Sequence, residues 1–148
     1  MGRADRQIAL RAATEADVPF LLELRQLTMT AHQIASGVLP SKEERLRRVR
    51  VRFECADIVN LDGRAIGLLK VARDGSDWEL IQVQVHPDYQ GQGIGRSLVE
   101  SVISQARAAG AALQLSVLRA NPARGLYERL GFVVVSEKAH AFVMRLAP

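Results

Sequence analysis

The sequence predicts one α/β domain of the α+β three-layer kind, a mixed, mostly antiparallel sheet flanked by about four helices. Three observations predict it. Residues 57–61, 65–72 and 78–86 are apolar runs separated by Asp62-Gly63 and Asp74-Gly75-Ser76-Asp77, the short turns of an antiparallel meander. Gly91, Gly93 and Gly95 follow the third run and lead into residues 94–109, where Leu98, Val99, Val102, Ile103 and Ala106 recur with helical period. Residues 113–118 form a further apolar run beyond that helix, so a crossover sets it parallel to the third strand of the meander.

In chain order, residues 1–7 read as a polar tail and residues 8–12 as a short strand. Thr14 followed by Asp17 is a capping signal, and Phe20, Leu21, Leu24 and Leu27 then share one helical face. This first helix ends in the segment holding His32 and Gly37, ahead of Pro40. Ser41 and Glu44 form a fuller capping box for a second helix. Leu46, Val49 and Phe53 fit helical spacing there, while residues 48–53 also alternate as a strand would; the strong cap favours the helix. The meander and the 94–109 helix come next, with Gly110 as the helix stop. Asn121-Pro122 opens a fourth helix whose inner face is Ala123, Leu126, Tyr127 and Leu130, ended by Gly131. Residues 133–136 and 141–146 close the chain as two strands.

The chain has 148 residues, enough for one real core, and with 48% apolar and 24% charged residues it has the composition of a globular protein. The expectation is a single domain over residues 1–148, located in the cytoplasm, since no apolar run approaches the roughly 20 residues of a membrane span and no signal peptide is visible. Met1-Gly2 fails the myristoylation pattern because Arg6 stands where Ser or Thr is needed. One cysteine excludes an internal disulfide framework, and three scattered histidines offer no metal spacing. The net charge of +4 suits an anionic ligand. With 5% aromatics and no aromatic–basic interleaving, nucleic acid is not the expected partner.

The glycine stretch is the chemical centre. A glycine loop entering a helix aims free N–H groups and about half a positive charge at one point, a cradle for phosphate. It lacks the lysine and Ser/Thr of a nucleoside-triphosphate loop. Arg96 stands where a dinucleotide fingerprint wants its third glycine, and residues 113–118 carry no acid for a ribose. By itself the motif could be a plain tight turn before a helix.

Context narrows it. The order meander, glycine loop, helix, parallel strand, Asn-Pro-capped helix with a tyrosine, then Gly131-Phe132 resembles the GNAT superfamily of acyl-CoA-dependent N-acetyltransferases. Gln90-Gly91-Gln92-Gly93-Ile94-Gly95 matches that family's Gln/Arg-x-x-Gly-x-Gly/Ala pyrophosphate motif. Residues 85–89 before it and 121–132 after it are similar to the two other family signatures, and the resemblance spans roughly residues 8–146.

The resemblance implies acetyl-CoA as co-substrate, a primary amine of a small molecule or peptide as acceptor, no metal, and a possible homodimer. Backbone amides of Gly91, Gln92, Gly93, Ile94, Gly95 and Arg96, after Gln90, would hold the pyrophosphate. Val83, Gln84 and Val85 would pair through their backbones with the pantetheine, which requires the two parallel central strands to splay. Asn121 would contact the pantetheine arm, cap its helix, or do both. Glu79 matches a strand position where several members carry a glutamate base; it could equally be a solvent-facing strand residue, and proximity with no dedicated base is a third possibility. Freeing an alkylamine of pKa about 10.4 at neutral pH costs around 4–5 kcal/mol, which makes a base useful. Ser116 stands where members acting on protein N-termini carry another glutamate. Tyr127 matches the general acid that protonates the departing thiolate, though its place on an apolar face also suits core. His32, His86, His140 and Cys55 match no motif; His32 borders the family's acceptor region. A non-catalytic acyl-CoA-binding domain of the same fold is the alternative, which retention of both Glu79 and Tyr127 disfavours.

Overall fold

The computed structural model describes residues 7–28 and 41–148. The chain runs β1 (Ile8–Ala12), a 3-10 turn (Glu15–Asp17), α1 (Val18–Thr28), α2 (Lys42–Arg50), a 3-10 turn (Phe53–Cys55), β2 (Ala56–Leu61), β3 (Arg64–Ala72) and β4 (Asp77–Val85). A third 3-10 turn (Pro87–Tyr89) leads to α3 (Ile94–Ala108), β5 (Ala112–Leu118), α4 (Ala123–Arg129), β6 (Val133–Glu137) and β7 (Ala141–Leu146). The seven strands lie in one sheet of order β1-β2-β3-β4-β5-β7-β6. Every neighbouring pair is antiparallel except β4 with β5. This is the expected mixed sheet with helices on both faces.

The local reasons are those read from the residues. Asp62 and Gly63 both take positive φ, 51° and 84°, the geometry of the tight hairpin joining β2 to β3. Asp17 completes the capping box at Thr14, accepting from its N–H at 2.8 Å, and takes a two-pronged ion pair from Arg11 at 2.8 Å on each oxygen. Those partners hold its carboxyl well below the usual range. Ser41 Oγ accepts from the Glu44 N–H at 3.0 Å and opens α2.

Two apolar clusters form, one on each face of the sheet. Leu98, Val99, Val102 and Ile103 of α3 and Tyr127 of α4 pack with Leu80, Val85, Leu113, Leu115 and Val117 on one face. Leu21 and Leu24 of α1 and Val49 of α2 pack with Ala56, Ile58 and Leu68 on the other.

Three expectations are corrected. Leu27 is 48% exposed, while Arg25 is 5% exposed, so α1 is turned to bury Leu21, Leu24 and Arg25. Burial, then the charge of Arg48, lowers the Arg25 guanidinium to about 10. The second helix stops at Arg50 rather than running to Phe53, because Val51 is already extended, with ψ of 126°, and Arg52 follows at a left-handed φ of 50°. Lys70 meets that end: its Nζ donates to the carbonyls of Val49 at 3.2 Å and Val51 at 2.6 Å. The fourth helix begins at Ala123, so Pro122 precedes it rather than occupying its first turn. His32 and Gly37 lie outside the described residues.

Candidate active site

The parallel ladder between β4 and β5 is short. Asp77, Trp78, Glu79 and Leu80 pair with Ala112, Leu113, Gln114 and Leu115, and there the pairing ends. Beyond it Ser116, Val117 and Leu118 remain paired with β7, while Gln82, Val83, Gln84 and Val85 remain paired with β3. A register shift between Lys70 and Val71 of β3 skips Ile81 and turns β4 away from β5. The two central strands therefore diverge, and each leaves one row of backbone groups facing the gap.

Which groups face it follows from alternation along a strand. The carbonyl of Gln84 points to β3, where it lies against Gly67, and the next N–H on that side, from His86, donates to Ile66 at 2.7 Å. The backbone groups of Val83 and Val85 then point into the gap. The Val85 carbonyl accepts from Gln90 Nε2 at 2.8 Å, which ties the glycine loop to the end of β4. Of the three residues expected to pair by backbone, Gln84 instead contributes its side chain.

Two hollows occupy the gap. A small one of about 80 Å³ at the point of divergence is lined by residues 80–84 and 115–118 with Asn121 and Tyr127. A larger one of about 460 Å³ continues outward between Thr28, Val83, Gln84 and Val85 on one side and Asn121, Leu126 and Tyr127 on the other, reaching Gln90, Gly91 and Gly95. A third, about 220 Å³, lies against Gln90, Gly91, Gly93, Ile94, Gly95 and Arg96. Gly91 and Gly93 have φ of 76° and 79°, which an L side chain disfavours. Gly93 is the N-cap of the 15-residue α3; no side chain caps it and its first turn holds no acid. Its first N–H groups have no side-chain acceptor at the cap, and the positive end of the helix dipole lies there.

Tyr127 is buried, with its ring edge-on to Phe132 at 5.8 Å between centroids, and it lines both inner hollows. Burial pushes its phenol up, so it remains a donor at neutral pH. The Asn121 Oδ1 accepts from the Ala123 N–H at 2.9 Å while the residue also borders both hollows. Arg96 is exposed at the loop and weakly engages Glu100 at 3.4 Å. Gln92 belongs to the same loop but is not among the residues lining these hollows. Glu79 is exposed on the closed part of the ladder, paired with Ala72 and Gln114, and lines none of the three. Among the described residues no cluster of three His, Cys, Asp or Glu could hold a metal, and no helix is long and apolar enough to cross a membrane.

Some lining residues escaped the sequence reading. Thr28 was hidden by the wrong rotation of α1. Gln82 had a signal, since glutamine two places before Gln84 in an apolar strand marks a polar row on one face.

A sheet whose parallel central pair opens onto a helix N-terminus with no side-chain cap is the arrangement that the sequence resemblance implied. A family model described as Acetyltransferase (GNAT) domain matches residues 55–134, more than half the chain, and the protein belongs to that family. Mycothiol acetyltransferase of Nocardiopsis dassonvillei is 39% identical over 79 residues, 49% of this chain and 23% of that protein. The ribosomal protein bS18-alanine N-acetyltransferase of Escherichia coli K12 is 47% identical over 55 residues, 36% of this chain and 37% of its own. The matched stretches thus span well under two thirds of these relatives. The fold extends further: the PaiA N-acetyltransferase of Thermoplasma acidophilum, solved in complex with coenzyme A, superposes with a TM-score of 0.73 at 20% identity over 96% of this chain and 99% of that one. The Escherichia coli bS18-alanine enzyme gives 0.70 at 22% over 95% and 94%.

Proposed function

We propose that this protein is an N-acetyltransferase that moves an acetyl group from acetyl-CoA to a primary amine of a small molecule or peptide, both substrates bound together. The end of the ladder at Leu80 and Leu115 carries the reading, because it leaves a cleft faced by backbone groups of Val83 and Val85 and leading to the N-terminal end of α3. The residues suit acetyl-CoA: an anion cradle without side-chain competition, a channel of about 460 Å³, and strand edges able to accept an amide-bearing chain.

Bound acetyl-CoA would supply the thioester that the amine attacks. Gly91 to Arg96 would hold the pyrophosphate, and the backbones of Val83 and Val85, with Asn121 opposite, would align the pantetheine arm. That alignment supplies much of the rate by holding the reactants at attack distance. Tyr127 reaches the cleft from the α4 side as a protonated phenol and would donate to the leaving sulfur. The amine then approaches from the opposite face, where the side chains of Glu79, Gln82 and Gln84 lie. Glu79 would take the amine's proton through water, since it stands outside the hollows. Ser116, on that same face, cannot serve as a base.

A coenzyme A release assay over amino acids, peptides, polyamines and aminoglycosides tests the reading. Release with at least one class supports it. Acetyl-CoA binding without release for any amine would assign the fold a binding role instead.

A further inference from the structure

Gln84 is 4% exposed, and neither its Oε1 nor its Nε2 has a hydrogen-bond partner among the described residues. It borders both the small and the large hollow of the cleft. A buried amide with both ends unmet is destabilising by itself, so the arrangement suits a group supplied from outside. Its ladder partner is Leu68, which belongs to the cluster under α1, so the side chain projects to the α1 face. Val83 and Val85 project the other way, toward α3. Two residues earlier on the same face, the Gln82 Oε1 is also buried and unmet. Thr28 of α1 closes the same region.

We propose that Gln84 is a specificity-determining residue that reads the acceptor as an α-amino-acyl unit, the first residue of a peptide or a free amino acid. This rests on the acetyltransferase reading and narrows its substrate class. A carboxamide offers one acceptor and one donor side by side. In an extended residue the nitrogen and the carbonyl of that same residue point to one side, and offer the matching donor and acceptor. Gln84 Oε1 would accept from the acceptor's α-amine, and Nε2 would donate to the carbonyl of the same residue. An alkylamine or polyamine has no carbonyl and leaves Nε2 unmet. Sites built to hydrogen-bond a substrate group discriminate strongly against analogues lacking it.

The test compares an alanyl peptide with propylamine as acceptors, for the wild type, Gln84→Leu and Gln84→Glu, with acetyl-CoA affinity measured by calorimetry and folding by thermal melts. The wild type is expected to favour the peptide in kcat/KM by about 100-fold or more. Gln84→Leu should raise the peptide KM about tenfold or more while the acetyl-CoA Kd moves less than threefold, collapsing the preference. Gln84→Glu keeps the shape and the acceptor oxygens but loses the donor, and covers the case in which the leucine variant misfolds; it should show the same collapse. Equal use of both amines by the wild type, an unchanged preference in the folded variants, or a loss confined to acetyl-CoA binding would each overturn the assignment. Failure of acetyl-CoA to bind the wild type at all would instead overturn the reading beneath it.

Discussion

Leu80 on β4 and Leu115 on β5 form the last pair of the parallel ladder, and the cleft begins one residue beyond them. Both side chains are buried in the cluster beneath α3, at 3% and 2% exposure, so the hinge of the divergence is anchored in the core. The open row of backbone groups above it is therefore a fixed feature, ready before any ligand arrives.

If that row and the uncapped end of α3 hold acetyl-CoA, the ligand stabilises the fold by mass action. At a concentration 100 times Kd the gain is about 2.7 kcal/mol, a rise of about 5–10 °C in melting temperature for a domain of this size. Gly93→Ala forces a methyl into a φ of 79° at the helix N-cap, a strain of about 1–2 kcal/mol. The variant should melt lower and lose most of the acetyl-CoA increment. Equal acetyl-CoA affinity by calorimetry in parent and variant would place the anion elsewhere.

Tyr127→Phe removes only the phenolic oxygen and keeps the edge contact with Phe132. Turnover is expected to fall about 100-fold, with acetyl-CoA Kd nearly unchanged. Glu79→Gln, on an exposed position, should leave the melting temperature within a degree or so and lower kcat/KM about tenfold or more. Steady-state kinetics beside thermal melts separates the two effects; wild-type kinetics in the glutamine variant would mean that no dedicated base acts and that proximity takes its place.

Lys70 should leave a signature in the pH dependence of stability. Burial, then the nearby charge of Arg25, lowers its ammonium from 10.5 to about 8. Between those values the unfolded chain holds more protons at this site than the folded one, so the contribution of Lys70 to stability rises with pH from about 8 to about 10.5. Urea melts across that range should show the positive slope in the parent and its loss in Lys70→Met. The methionine variant also leaves the Val49 and Val51 carbonyls without their donor, so it should be less stable at pH 7.

Gly67→Ala probes the bend of β4 from the other side. A Cβ there would collide with the carbonyl oxygen of Gln84. A loss of about 1–3 kcal/mol is expected, with weaker acceptor use as Gln84 shifts. A neutral substitution in chemical melts would mean that β3 and β4 separate there without strain.

The legible parts of this protein were local. Asp62-Gly63 and the glycines at 91 and 93 announce backbone angles that other residues resist, so turn and cradle follow from a few adjacent positions. The α3 stripe and the caps at Thr14 and Ser41 are equally short-range. Resemblance to known motifs added the cofactor class and the pairing of Tyr127 with the cleft.

Other features needed the whole chain. Phe20, Leu21, Leu24 and Leu27 describe an apolar stripe, but the covering sheet decides its rotation, and it buries Arg25 in preference to Leu27. Lys70, about twenty residues away, reaches the Val49 and Val51 carbonyls at the end of α2 only through the fold. The sequence by itself determined the elements, their turns and the anion cradle, because those rest on backbone preference within a few residues. Only the tertiary structure decided where the ladder stops and that Gln84 is buried with its amide unmet. Both depend on which residue of β4 meets which residue of β5 or β3, and pairing across tens of residues is set by the packing of the finished sheet.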